Sequence, residues 1–205
     1  MTSPTVTQSQ VQAALRSFLL TVLPTGWEVV EGQDSRVPEP SNPRFVIMTV
    51  IGRTRLETNG YAYAPPSGSA IQQGTETVTQ AFQVTFQLDF HSANVGDSSD
   101  ACVMVSTLFR DDIAYQAFAA SGLPVSPLYA DDPKQVPFVN AEQQFETRWL
   151  LDAVLQVNAG VVWAQDFMLG APSITTYPPG RRRPLERREH DIEHYPRLTD
   201  RPGTP

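Results

Sequence analysis

Apolar residues near the start of the chain recur at helical spacing. Val11, Leu15, Phe18, Leu19 and Val22 stand at i, i+4, i+7, i+8 and i+11, one stripe of a helix over 8–23. Thr7 or Ser9 is placed to cap it, and Pro24 with Gly26 to stop it. A second helical pattern covers 97–120, with Ala101, Val105, Leu108, Phe109 and Ile113 as its buried stripe. Asp97 or Ser98 is its cap, Asp100 lies in its first turn, and Ser121-Gly122 followed by Pro124 ends it.

Strand patterns fill the interval and the part that follows. Residues 44–57 read as a strand that is apolar on both faces from Phe45 to Ile51, as expected of a strand covered on both sides. Beyond Gly52 it turns polar, with Arg53 and Arg55 on one face. The clearest alternation runs over 80–92. Phe82, Val84, Phe86, Leu88 and Phe90 point one way, and Gln83, Thr85, Gln87, Asp89 and His91 the other. That uncharged polar face suits contact with a partner sheet, and His91 on it reads as a surface or interface residue. Period-two order resumes at 145–157. A turn is expected at Asn158–Gly160, with a returning strand over 161–169. Two segments remain: 58–76, a long loop or extended hairpin arm, and 128–149, a proline-bounded loop carrying Asp131 and Asp132.

Composition changes the picture at the C-terminus. From Pro172 onward nothing alternates, and seven prolines are interleaved with seven arginines and five acids. Such a segment does not build a core. The expected organisation is therefore one domain over 1–171 and a Pro/Arg-rich extended arm over 172–205. The fold class expected is α+β: one mixed, mainly antiparallel sheet of about four strands with two packed helices, plus the long loop and the arm.

Charge is uneven. The 205-residue chain carries a net −7, but the arm holds +2 and the body −9, with Lys134 the one lysine of the chain. A body of that sign repels phosphate rather than gripping it. The single cysteine, Cys102, lies in an apolar run, which excludes an internal disulfide framework and a cysteine-built zinc site. No apolar run approaches the length of a membrane span. The start MTSPTVTQSQ has neither the basic residues nor the apolar stretch of a signal peptide. A soluble protein made in a cytoplasm is expected.

Candidate chemistry is sparse. Asp131, Asp132, Glu142 and Glu146 offer the carboxylate oxygens that hard cations take, but their spacing matches no cation loop, and a shaped turn ahead of Pro133 is the simpler reading. His190 and His194 stand four apart between prolines, without the glutamate placement of a zinc protease. Arg181, Arg182 and Arg183 could touch nucleic acid, although their acidic neighbours favour a protein partner. No phosphate-loop, dinucleotide or nucleophile-elbow motif is present. No cofactor, no metal site and no catalytic set are expected.

Three phrases, PRFVIMTVIGRTRLETN (43–59), STLFRDDIA (106–114) and PLYADDPKQVPFVNAEQQFETRW (127–149), together resemble the phage neck terminator family, proteins of the head–tail junction of tailed bacteriophages. The resemblance covers 43–165. It implies a tail-terminator-like fold and a homo-oligomeric ring, usually of six subunits, that caps the tail tube and docks it to the head connector. Genomic DNA would pass through the lumen. Partners implied are the tail tube protein, the sheath if the tail is contractile, and the connector or collar protein; no membrane is involved. The place implied is the virion, after assembly in the host cytoplasm. Candidate interface residues are Arg53, Arg55, Tyr129, Asp131, Asp132, Phe138, Arg181, Arg182 and Arg183. The alternatives are a head-completion or connector ring, a tube-like ring subunit, or a small carboxylate-dependent metal hydrolase.

Overall fold

In the computed structural model of the protein, the described residues are 4–32, 40, 42–66, 73–94, 96–136, 138–139 and 145–166. Helix α1 (Gln8–Val22) begins in a capping box: the Thr7 hydroxyl accepts from the Gln10 backbone N–H, and the Gln10 side chain accepts from that of Thr7 at 2.8 Å. Val11, Leu15, Phe18 and Leu19 are buried, as the spacing predicts.

The expected second helix is two helices, α2 (Asp97–Phe109) and α3 (Asp112–Ala120). Asp111 breaks the run. Its backbone is extended (φ −101, ψ 166), and its side chain accepts from the Ile113 N–H, so it caps a new helix within a stretch of continuous helical periodicity. The break re-aims the stripe: Ala101, Val105 and Phe109 are buried, whereas Ile113 is 45% exposed. The cap of α2 also differs from expectation. Gly96 occupies it without a side-chain bond, while Asp97 accepts from Asn94 and pairs with Arg44 at 2.7 Å. Those two partners, Asn94 first, hold the Asp97 carboxyl below its ordinary range. Gly122, at φ +69, supplies the left-handed residue that lets the chain leave α3.

Eight strands are described: β1 (Glu28–Glu31), β2 (Phe45–Arg55), β3 (Gly60–Ala64), β4 (Gln73–Ser92), β5 (Val125–Ala130), β6 (Lys134–Gln135), β7 (Phe138–Val139) and β8 (Phe145–Asp166). Seven make one mixed sheet, and β7 adds a two-residue ladder to the start of β8. The central order is β1-β2-β4-β8-β5, with β1 parallel to β2 and every other pair antiparallel. The sheet is larger than the four strands expected because short strands lie in 128–149, which reads as a loop, and because 58–76 takes the hairpin rather than the loop alternative, β3 pairing with β4.

Strand β8 corrects another expectation. No turn forms at Asn158–Gly160; the strand runs 22 residues and stays in unbroken register with β4 from Thr147↔Ser92 to Asp166↔Gln73. Asn-Ala-Gly would suit a turn in isolation. Here the Asn158 N–H donates to the Pro124 carbonyl, and Gly160 exchanges bonds with Thr5, so pairing on both sides holds the segment extended.

The helices cover one face of this sheet, and the expectation that β2 is covered on both sides does not hold. Val46, Met48, Phe86, Leu88, Phe90, Leu151, Ala153, Leu155 and Val157 form the core with all three helices, whereas Ile51 is half exposed. Phe18 joins the helices, edge-on to Phe109 at 5.7 Å and stacked with Phe118 at 5.8 Å. Cys102 is fully buried, and desolvation pushes its thiol up to about 12, which keeps it protonated and unreactive.

Candidate assembly surfaces

The described part of the segment expected to be a proline-bounded loop pairs in short stretches along the outer side of β8. In β5, Val125 to Pro127 pair with Val157 to Leu155; a bulge then passes Leu128, and Tyr129 lands opposite Val154. The bulge turns the 44%-exposed Tyr129 ring onto the face away from the helices. The Asp131 N–H donates to the Asp152 carbonyl, continuing the ladder. Arg110, at the joint between α2 and α3, donates to the Ala130 carbonyl from two guanidinium nitrogens and stands 3.8 Å from the exposed Asp132 carboxylate. That ion pair adds little, being open to solvent; the carbonyl fork fastens β5 to the helices. Asp131 and Asp132 are thus edge residues beside one arginine. Phe138 pairs through its backbone with Glu146 in β7. Among the described residues, no three His, Cys, Asp or Glu side chains gather as a metal-ligand group.

A bulge in β2 sets the direction of the two arginines. The register slips between Val50 and Gly52, so Arg53 and Arg55 face the side on which Val46 and Met48 are buried. The Arg53 guanidinium lies 5.5 Å from the centre of the Phe82 ring and donates to Gln8 at 2.9 Å. Arg55 donates to the Glu57 carbonyl and to Asn59, closing the excursion between β2 and β3. Both therefore have partners within the subunit, and β4 and β8 separate them from Asp131 and Asp132. Arg181, Arg182, Arg183, His190 and His194 lie outside the described residues.

The face away from the helices is the polar face expected from alternation, with a salt bridge at one end. Arg148 forks onto Asp89, with contacts at 3.0 Å to both carboxylate oxygens. Beside it, His91 is buried and stacked on Phe45 at 4.7 Å, interplanar angle 8°; of the surface or interface residue expected from alternation, the surface alternative does not hold. Farther along, Thr49, Thr85, Gln87 and Gln156 are half-buried.

The extended hairpin arm expected as one alternative for 58–76 is present, and it carries exposed apolar residues that no strong sequence pattern marks as a site. Strand β3 continues the line of β2 along the same side of β4: Arg55 pairs with Phe82, and Gly60 with Thr79. Strands β3, β4 and β8 thus extend past the helices as a three-stranded ribbon, and the 20 residues of β4 reach roughly 65 Å from end to end. Alternation gives this arm two unlike faces. On one, Tyr61, Tyr63, Val161 and Trp163 are 42–59% exposed, around the buried Glu76. Trp163 donates its indole N–H to that carboxylate at 2.7 Å. The Tyr63 hydroxyl also bonds it, and this bond, more than burial or the Glu76 charge, raises the phenol above its ordinary range. The other face carries the small residues Gly60, Ala62, Ala64, Thr75, Thr77, Thr79, Gly160, Val162 and Ala164. The signal was the alternation of Tyr61 with Tyr63 and of Thr75, Thr77 and Thr79, which lacks the apolar weight of a core strand.

No helix among the described residues is long and apolar enough to cross a membrane. A comparison with curated proteins finds no match. Residues 9–179 match the family model described as phage neck terminator protein, a span that takes in all of α1 but its first residue and the whole described sheet from β1 to β8. The chain therefore belongs to the phage neck terminator family and has a structural role at the neck of the phage particle.

Proposed function

We propose that the chain is a ring subunit, six copies closing around the axis of the neck to terminate the tail tube and join it to the head connector, with the genome passing through the lumen. The observation that carries this reading, beyond family membership, is the projecting three-stranded arm with its exposed Tyr61, Tyr63 and Trp163. A lone soluble domain has little use for such a surface, whereas a repeated subunit buries it. The two lateral ends of the sheet suit a head-to-tail contact. Arg53 and Arg55 lie towards the β2 side, and Tyr129, Asp131, Asp132 and Phe138 lie along the opposite side, beyond β8. Opposite charges brought together across the joint would fix its register.

In this reading the body's surplus of acids keeps the lumen from holding DNA. Repulsion of that kind acts within a Debye length of about 8 Å in physiological salt. The arm at 172–205, with Arg181, Arg182 and Arg183, clamps the joint to a neighbouring subunit or ring. The subunit works by shape and adhesion, assembles in the host cytoplasm and catalyses nothing. Native mass spectrometry of the full chain at increasing concentration tests the reading. The expected result is a species of six copies. Twelve copies would move the protein to the portal side of the neck, and a monomer at every concentration would contradict the ring.

A further inference from the structure

The edges of the sheet are not protected alike. Natural sheets guard their edges with charge, proline, bulges or short strands. Strand β1 is four residues long and has Glu28 and Glu31 at its ends. Strand β5 has Pro127 and a bulge. Strand β3, Gly-Tyr-Ala-Tyr-Ala, has no charge, no proline and no bulge against β4. Its outer side is unpaired among the described residues. A second edge of the same kind lies across the arm. The N-terminal segment pairs with β8 at Val161 through Pro4. Beyond that point, among the described residues, nothing lies along Val162–Gln165 on the side away from β4.

We propose that these two edges are made for each other in different copies: β3 of one subunit adds along the end of β8 of the next. This rests on the ring reading and names the contact that closes it. Three observations select a second copy as the occupant. One chain supplies both edges, on opposite sides of one arm and unpaired among the described residues, so each copy gives one and takes one, the head-to-tail pattern that repeats around a ring. Strands β3 and β8 are both antiparallel to β4. Copies related by rotation about an axis along the arm keep that direction, and the new ladder is parallel. The side chains also agree: Tyr61 and Tyr63 share a face with Val161 and Trp163, so joining the edges places aromatic beside aromatic and small beside small. A charged partner finds no counter-charge. Residues 58–66, 73–81 and 158–166 contain no lysine or arginine, and their acids are the buried Glu76 and the terminal Asp166.

Lysines on each edge test the inference in the full chain. Ala62, Ala64, Val162 and Ala164 are exposed, so Ala62→Lys/Ala64→Lys blocks β3 and Val162→Lys/Ala164→Lys blocks β8, with thermal unfolding confirming that each variant folds. In analytical ultracentrifugation each variant alone is expected to lose the oligomer and sediment as a monomer. An equimolar mixture is expected to stop at a dimer, since one good β3 edge meets one good β8 edge and the chain of contacts then ends. If the wild type assembles and either folded variant assembles as well as it does, the edge contact is wrong while the ring stands; β3 would then serve a strand of another protein or none. If the wild type stays monomeric, the ring fails and this contact fails with it.

Discussion

Phe18→Ala is expected to destabilise the protein by about 3–5 kcal/mol, the usual cost of emptying a large buried aromatic site. For a protein of this size that lowers the melting temperature by roughly 6–20 °C. Phe18 is 1% exposed, and it is the side chain that α1 places against both Phe109 of α2 and Phe118 of α3. The three helices meet on that ring cluster, and the helices in turn cover the sheet. Truncation leaves a cavity where three elements converge. Leu20→Ala, on the exposed side of the same helix at 45% exposure, serves as the control and is expected to stay within about 0.5 kcal/mol of wild type. Equal effects at the two positions, read by thermal or urea unfolding, would mean that α1 is not anchored where the structure places it.

The second large effect is expected on the opposite face. Arg148→Met should cost about 2–4 kcal/mol. This is the penalty for leaving a buried carboxylate without its fork, reduced because the Arg148 side chain is 25% exposed while that of Asp89 is 9% exposed. Asp89 sits in register between Ile47 and Leu150, so an apolar residue fits its place. The double variant Asp89→Leu/Arg148→Met is accordingly expected to recover most of the loss, as apolar replacements of buried ion pairs often do. A denaturant-based double-mutant cycle isolates the coupling. Arg148→Met within about 0.5 kcal/mol of wild type would show that the pair does not hold the sheet face. Its placement suggests why an ion pair is kept there: a face of half-buried Thr49, Thr85, Gln87 and Gln156 stays wettable before assembly, which an apolar face would not.

Legibility of the fold followed the core. Alternation from Phe82 to Phe90 and from Trp149 to Val157 was readable because helices cover one face there, forcing large apolar residues into every second position. The same strands continue outward as the arm, where no helix sits above them and the pattern becomes Thr75, Thr77 and Thr79 against Glu76 and Val78. Backbone pairing alone keeps that part extended, and pairing leaves a weak mark in a sequence. Local turn chemistry misled at Asn158–Gly160 for the same reason: two neighbouring chains outvote a three-residue preference. The division of α2 from α3 turns on Asp111, a cap residue inside a run whose apolar spacing never falters, so periodicity passed over it.

Among the site residues, alternation correctly put Arg53 and Arg55 on one face, but the bulge after Val50 decides which face, and bulges have no dependable sequence signature. Asp131 and Asp132 suggest a shaped turn ahead of Pro133, whereas the backbone there continues the ladder, with the Asp131 N–H on the Asp152 carbonyl. Arg110, which fastens that edge to the helices, was not recognisable, because its partner is a backbone carbonyl twenty residues away. The aromatic set of Tyr61, Tyr63 and Trp163 could not be assembled from sequence at all, since it depends on β3 and the end of β8 flanking the same stretch of β4.

A cryo-electron microscopy reconstruction of the neck of intact particles tests the ring directly. Several copies of this chain are expected, arranged symmetrically about the axis between head connector and tail tube, arms touching from copy to copy, with an open channel on the axis. A single copy per particle, or density for this chain anywhere other than the neck, would contradict the neck ring.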